Sequence, residues 1–123
     1  MPVQAERGRK SILVVEDDPV TRTALVHVLE LLGYEVVPVA TVAESIERLD
    51  GQHCAVLDLN LPDGLGTTIL RRIRTENRPI RVAVVSATTD RAMLDEARDL
   101  RAELILRKPI NVNELIEWVG RGG

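Results

Sequence analysis

Short, unbroken apolar runs alternate with segments of helical period along this chain of 123 residues. Residues 12–15 (ILVV) are continuously apolar, and Val20, Ala24, Leu25, Val28, Leu31 and Leu32 then recur at helical spacing. Gly33 follows where a left-handed helix cap is expected. Residues 35–39 predict a second strand, and Thr41 with Glu44 forms a capping box that opens a helix ending near Gly51. A third strand is expected over 53–58 and, after the Gly- and Pro-containing loop LNLPDGLG, a helix around 67–75. Residues 80–85 form another β-branched run, 90–100 a helix, 104–106 a short strand, and Asn111 with Glu114 a capping pair before the last helix. The pattern gives five strands and five helices.

Strands that are apolar throughout and separated by helices belong to a parallel sheet covered on both faces, since an exposed face would show polar alternation. The expected fold is therefore a doubly wound α/β domain over residues 11–120, preceded by a flexible tail over residues 1–10 that carries Arg7, Arg9 and Lys10. In such a fold, functional residues gather at the carboxyl ends of the strands.

Charge and composition narrow the function. Sixteen Lys and Arg against nineteen Asp and Glu leave a net charge of −3, so the chain has no basic surface suited to nucleic acid. No apolar run approaches the roughly 20 residues of a spanning helix, and MPVQAERGRK lacks the apolar centre of a secretion signal. A cytoplasmic protein without membrane contact is expected. Cys54 is the only cysteine and, within HCAVLD, reads as a small core residue. His27 and His53 show no ligand spacing and read as structural, whereas Trp118 fits either the core or a partner-facing surface.

Four strand ends carry the candidate chemistry. Glu16, Asp17 and Asp18 follow the first strand, and adjacent carboxylates repel unless a cation or donors compensate. Asp18 before Pro19 suits a helix N-cap, while metal binding is preferred over capping for Glu16 and Asp17. Asp58 ends the third strand. With the first and third strands adjacent, it joins the acidic turn in a three-carboxylate group of the kind Mg²⁺ takes, to which the loop backbone near Asn60 can add a carbonyl. Ser86 ends the fourth strand, and Lys108-Pro109 follows the fifth. Only Lys10 and Lys108 are lysines, and a compact ammonium suits a point contact with phosphate or carboxylate.

The motifs ILVVEDDP, AVLDLNLPDGLG, VVSATTD and LRKPI, in this order and spacing, resemble the receiver domains of two-component response regulators over roughly residues 11–120. The resemblance implies the flavodoxin-like strand order 2-1-3-4-5. It further implies that Asp58 accepts a phosphoryl group from a phosphohistidine of a histidine kinase or histidine phosphotransfer protein. Asp17 would bind Mg²⁺ directly, Glu16 through a bound water, and Asn60 by its main-chain carbonyl. Lys108 and Ser86 would contact phosphoryl oxygens, and the Lys108-Pro109 bond would be cis. By the same resemblance the chain catalyses only its own phosphorylation and slow dephosphorylation, and acts on an unidentified downstream protein as a monomer or phosphorylation-dependent dimer.

Three positions depart from the family pattern. Ile105 replaces the usual switch aromatic, Ile110 a frequent Phe, and Arg101-Ala102 the usual Gly-Ala. A left-handed Arg101 would be strained. The alternatives are a pseudo-receiver interaction module, a flavin- or nucleotide-binding protein of the same sheet order, and an aspartyl-phosphate phosphatase. The retained acidic residues and lysine oppose the first, like charge in EDDP opposes the second, and the third requires its nucleophile after the first strand. The sequence stops soon after the fifth helix, so a single-domain receiver acting through binding is expected.

Overall fold

The computed structural model describes residues 9–121. Residues 1–8 of the expected tail lie outside the described residues, and Arg9 and Lys10 precede the first strand without regular structure. The elements run β1 (Ser11–Val15), α1 (Pro19–Leu31), β2 (Glu35–Val39), α2 (Val42–Ile46), β3 (Cys54–Leu57), β4 (Asn60–Leu61), β5 (Gly64–Leu65), α3 (Gly66–Thr75), β6 (Arg81–Ser86), α4 (Arg91–Asp99), β7 (Leu104–Arg107) and α5 (Val112–Arg121). The main sheet is parallel in the order β2-β1-β3-β6-β7. Counting only its five strands, this is the expected 2-1-3-4-5. The lowest-numbered and highest-numbered neighbours of β1 lie on opposite sides of it, so the strand order reverses there.

Alternating strand residues feed two separate cores. Ile12, Val14, Cys54, Val56, Ala83 and Val85 pack with Leu25 and Leu29 of α1 and Leu115, Trp118 and Val119 of α5. Leu13, Val15, Ala55, Leu57, Val82 and Val84 pack on the other face with Ile69, Leu70 and Ile73 of α3 and Ala97 of α4. Both faces of the sheet are thus covered, which is why its central strands read as continuous apolar runs. Cys54 is a core residue. Trp118, undecided from sequence, is buried, with the Arg81 guanidinium 4.1 Å from its ring centroid.

Local chemistry fixes the helix ends. Asp18, Thr41 and Asp90 accept backbone N–H groups of Thr21, Glu44, and Ala92 and Met93. Asn111 Oδ1 accepts from Asn113 and Glu114. Three helices close in the same Schellman arrangement, in which two backbone N–H groups past the end return to the last-turn carbonyls. After α1 these are Gly33 to Glu30 and Tyr34 to Leu29; after α3, Asn77 to Arg74 and Arg78 to Ile73; after α4, Arg101 to Arg98 and Ala102 to Ala97. The left-handed residue is Gly33 (φ 96°), Asn77 (φ 54°) and Arg101 (φ 63°) respectively. Arg101 is held there by Arg74, whose guanidinium donates to the carbonyls of Leu100 (2.9 Å), Arg101 (2.8 Å) and Ile80 (3.1 Å) and to Glu103 Oε1 (2.8 Å).

Two expectations are corrected. The second helix ends at Ile46, not near Gly51: Arg48 N–H donates to Ser45 and Gln52 N–H to Leu49, three residues back, so the winding tightens into turns. Leu49 still reaches the core, which kept the apolar spacing helical. The loop LNLPDGLG contains the small β4–β5 hairpin, pairing Asn60 with Leu65 and Leu61 with Gly64. Two-residue strands are too short to leave a periodic signal.

Replacing Arg101 by Gly removes a left-handed cost of about 1 kcal/mol and adds a smaller cost in unfolded-chain freedom. Arg101→Gly should therefore raise stability by roughly 0.5 kcal/mol, read as a higher urea midpoint at unchanged slope. A midpoint equal to or below wild type would show that Arg101 carries no strain.

Candidate functional site

Parallel pairing brings the carboxyl ends of β1, β3 and β6 together, with Val15 beside Leu57 and Leu57 beside Val84. The backbone ladder runs one residue past the strands. Glu16 N–H donates to Val39 O (3.0 Å), Asp58 N–H to Val15 O (3.0 Å), and Lys108 N–H to Ser86 O (3.0 Å). Each charged residue is thereby fixed by the sheet itself rather than by a free loop.

Glu16, Asp17 and Asp58 each place a carboxylate oxygen within 4.8 Å of the others. Glu16 is 2% exposed and Asp58 7%, whereas Asp17 faces solvent. Lys108 Nζ lies 2.7 Å from Glu16 Oε1 and 3.0 Å from Asp58 Oδ2. Asn60 N–H donates to Asp58 Oδ1 (3.1 Å), and Asp18 N–H to Glu16 Oε2 (3.1 Å). Burial pushes the Glu16 carboxyl above its ordinary range; Lys108 and the Asp18 N–H pull it down, and the charge of Asp58 adds to the rise. Burial by itself lowers the Lys108 pKa, but its bonds to Glu16 and Asp58 outweigh this and hold it above the ordinary lysine value. Lys108 is thus a cation at neutral pH between two buried carboxylates.

The structure brings Glu16, Asp17, Asp58, Lys108 and the Asn60 backbone together. Ser86 is buried at the end of β6, and its Oγ accepts from Thr88 N–H (3.2 Å). Among the described residues no hydrogen bond joins Ser86 to Asp58. The Lys108-Pro109 bond is cis. His27 is exposed, and His53 Nδ1 accepts from Ser11 N–H (3.1 Å) away from this edge. The clustered carboxylates of Glu16, Asp17 and Asp58 are hard oxygen ligands of the kind that suit Mg²⁺.

Three contributors were not legible in the sequence. Arg22 Nη1 donates to the carbonyls of Glu16 (2.8 Å) and Asp17 (3.3 Å), tying the acidic turn to α1. Gly66 N–H donates to Leu59 O, and a Cβ at Gly66 would lie 2.1 Å from the Asp58 carbonyl oxygen. The tip of the hairpin is held by Asp63, whose carboxylate accepts from Val42 N–H (2.8 Å) and Ala43 N–H (3.1 Å) at the start of α2. The loop carrying Asn60 is therefore pinned at its base by Gly66 and at its tip by Asp63.

The fold and this edge define a doubly wound domain with an acidic, lysine-bridged cluster at its switch point. The family model described as "Response regulator receiver domain" matches residues 12–120, and the chain belongs to that family. It is 34% identical over 113 residues to "Regulator of RpoS" from Escherichia coli (strain K12), covering 89% of this chain and 34% of that protein. It is 29% identical over 105 residues to "Cyclic di-GMP phosphodiesterase" from Thermotoga maritima, covering 85% of this chain and 28% of that protein. The chain thus spans about a third of the length of these relatives. A solved receiver domain protein (CheY-like) from Methanospirillum hungatei JF-1 superposes with a TM-score of 0.86 at 26% identity, covering 93% of each chain.

Gly66→Ala should cost about 3 kcal/mol, because the added methyl meets backbone atoms that cannot move aside. The check is a urea melt, and a loss under about 1 kcal/mol would mean that the loop base yields. Asp63 gives a pH test. Its bonds to the Val42 and Ala43 N–H groups hold its pKa below the ordinary 3.8. A depressed folded pKa contributes stability that is present above the unfolded value and lost as pH falls through the folded one. The urea midpoint of Asp63→Ala should lie below wild type at neutral pH, and the gap should shrink only below about pH 4. A gap independent of pH would exclude a role for the carboxylate charge.

Proposed function

We propose that this receiver domain accepts a phosphoryl group on Asp58 from a phosphohistidine of a histidine kinase or histidine phosphotransfer protein, with Mg²⁺ as cofactor. The observation that supports this reading is the buried Asp58 carboxylate, clustered with Glu16 and Asp17 and bridged to Glu16 by Lys108. An Asp58 oxygen attacks phosphorus; the P–O bond forms as the P–N bond breaks, and the donor histidine leaves as neutral imidazole after protonation. Asp17 and Asp58 would hold the ion with the Asn60 main-chain carbonyl, and Glu16 would act through a metal-bound water. Bound Mg²⁺ supplies positive charge that offsets repulsion between the phosphoryl oxygens and the carboxylates.

Lys108 brings a second positive charge to the phosphoryl oxygens and keeps Asp58 oriented. Ser86 donates a hydrogen bond to the modified residue, and its loop, which leads into α4, carries the change to a downstream protein. Residues 11–120 form the working unit. The chain acts in the cytoplasm, contacts neither nucleic acid nor membrane directly, and works as a monomer or phosphorylation-dependent dimer. Its only catalysis is its own phosphorylation and slow dephosphorylation.

With acetyl phosphate and Mg²⁺, intact-mass measurement should show one phosphoryl group on wild type and none on Asp58→Asn. Chelating the metal should slow labelling at least about 100-fold. Equal labelling of the asparagine variant would remove Asp58 from this role, and metal-independent labelling would remove the cofactor.

A further inference from the structure

Asp17 carries the one exposed carboxylate of the acidic cluster, and its side chain makes no hydrogen bond among the described residues. Its direction is therefore set by the backbone, through the two soft dihedrals at its Cα. The peptide units on either side of that Cα end in the carbonyls of Glu16 and Asp17. Both accept from a single atom, Arg22 Nη1, at 2.8 Å and 3.3 Å. One nitrogen bonded to both carbonyls restrains φ and ψ of Asp17 together. The next carbonyl, that of Asp18, accepts from the Arg22 backbone N–H (2.9 Å), so one residue holds three consecutive carbonyls of the turn.

Helix α1 itself gives no reason for a cation at this place. Arg22 is its fourth residue, near the positive end of the helix dipole where a cation is unfavourable, and no acidic residue accompanies it in the first turn. It is half-buried and forms no ion pair among the described residues. Its donors go instead to the main chain of the acidic turn.

We infer that Arg22 is a positioning residue for the metal site: by fixing the backbone of Asp17 it holds that carboxylate ready for Mg²⁺ beside Asp58. The inference rests on the proposed Mg²⁺ binding of this cluster. Arg22 acts through the main chain of Asp17 and not by contact with the ion. Two roles for the guanidinium predict opposite signs. As a bare charge beside a cation site it repels Mg²⁺, and its removal tightens binding. As a positioning group it spares the ion the cost of ordering the turn, and its removal weakens binding.

The test is calorimetric titration of the unphosphorylated full chain with Mg²⁺, wild type against Arg22→Met, which keeps the apolar stem and removes charge and donors. The Kd should rise about tenfold or more, the range expected when a group that orients a metal ligand is lost. In the metal-free chain, amide exchange followed by NMR should quicken at Asp18, whose N–H donates to Glu16 Oε2, and stay within about twofold of wild type at Leu29, deep in α1. Equal quickening at Asp18 and Leu29 would mean that Arg22 merely stabilises the helix, and would overturn the proposal. An unchanged or lower Kd in Arg22→Met would overturn it while leaving Mg²⁺ as the cofactor. A wild-type chain that binds no Mg²⁺ would overturn the cofactor reading and this inference together.

Discussion

Two buried carboxylates share one ammonium at the centre of this molecule, and the arrangement holds only if the whole sheet is assembled. Glu16 follows β1, Asp58 follows β3 and Lys108 follows β7, so the cluster draws on strands that are far apart in sequence. Removing one partner of a buried pair leaves an uncompensated charge, which costs far more than the pair contributes. The backbone bonds that extend the ladder past each strand hold these side chains in mutual reach, and among the described residues no buried side-chain polar atom lacks a partner. Electrostatics at the edge and register in the sheet therefore stabilise or fail together.

The same cluster is asymmetric in a way that matters for chemistry. Glu16 and Asp58 are buried and engaged, while the Asp17 side chain is exposed and makes no hydrogen bond among the described residues. The cluster thus presents one open carboxylate on the solvent side and two preoriented ones beneath it. The turn bearing Asp17 does not swing freely, because Arg22 grips its carbonyls from α1. Orientation is supplied in advance by groups that need not react, which lowers the reorganisation required when charge arrives.

What the sequence disclosed and what it hid divide along physical lines. The sheet was legible because strands buried on both faces show unbroken apolar runs, and three of the helices because Asp18, Thr41 and Asn111 cap them through local bonds. Placing Glu16, Asp17, Asp58 and Lys108 at strand ends needed only that topology. Gly66 was hidden because its requirement is a distance to the Asp58 carbonyl, not a pattern. Asp63 and Arg22 were hidden because each acts on backbone atoms of another segment. Arg101 was flagged as strained if left-handed, and it is left-handed; the reason it persists, the Arg74 guanidinium, comes from a different helix.

Ile105 bears on how a change at this edge spreads. It is half-buried and packs against the core that contains Val84 and Ala97. A β-branched side chain is stiff about its first torsion, so a swinging ring is not available to couple the β6–α4 loop to the surface. α4 itself has the looseness such coupling needs, because Ala97 is its only fully buried residue, with Met93 and Leu94 partly buried. Few buried contacts mark an element drawn from the low-stability end of a fold. Its C-terminal end is clamped by Arg74, whereas its N-terminal end is held by the Asp90 cap, and Asp90 N–H in turn donates to Thr88 Oγ1 in the loop that begins at Ser86. The β6–α4 loop is thereby tied to the N-terminal end of α4, next to the face bearing Arg91 and Leu94.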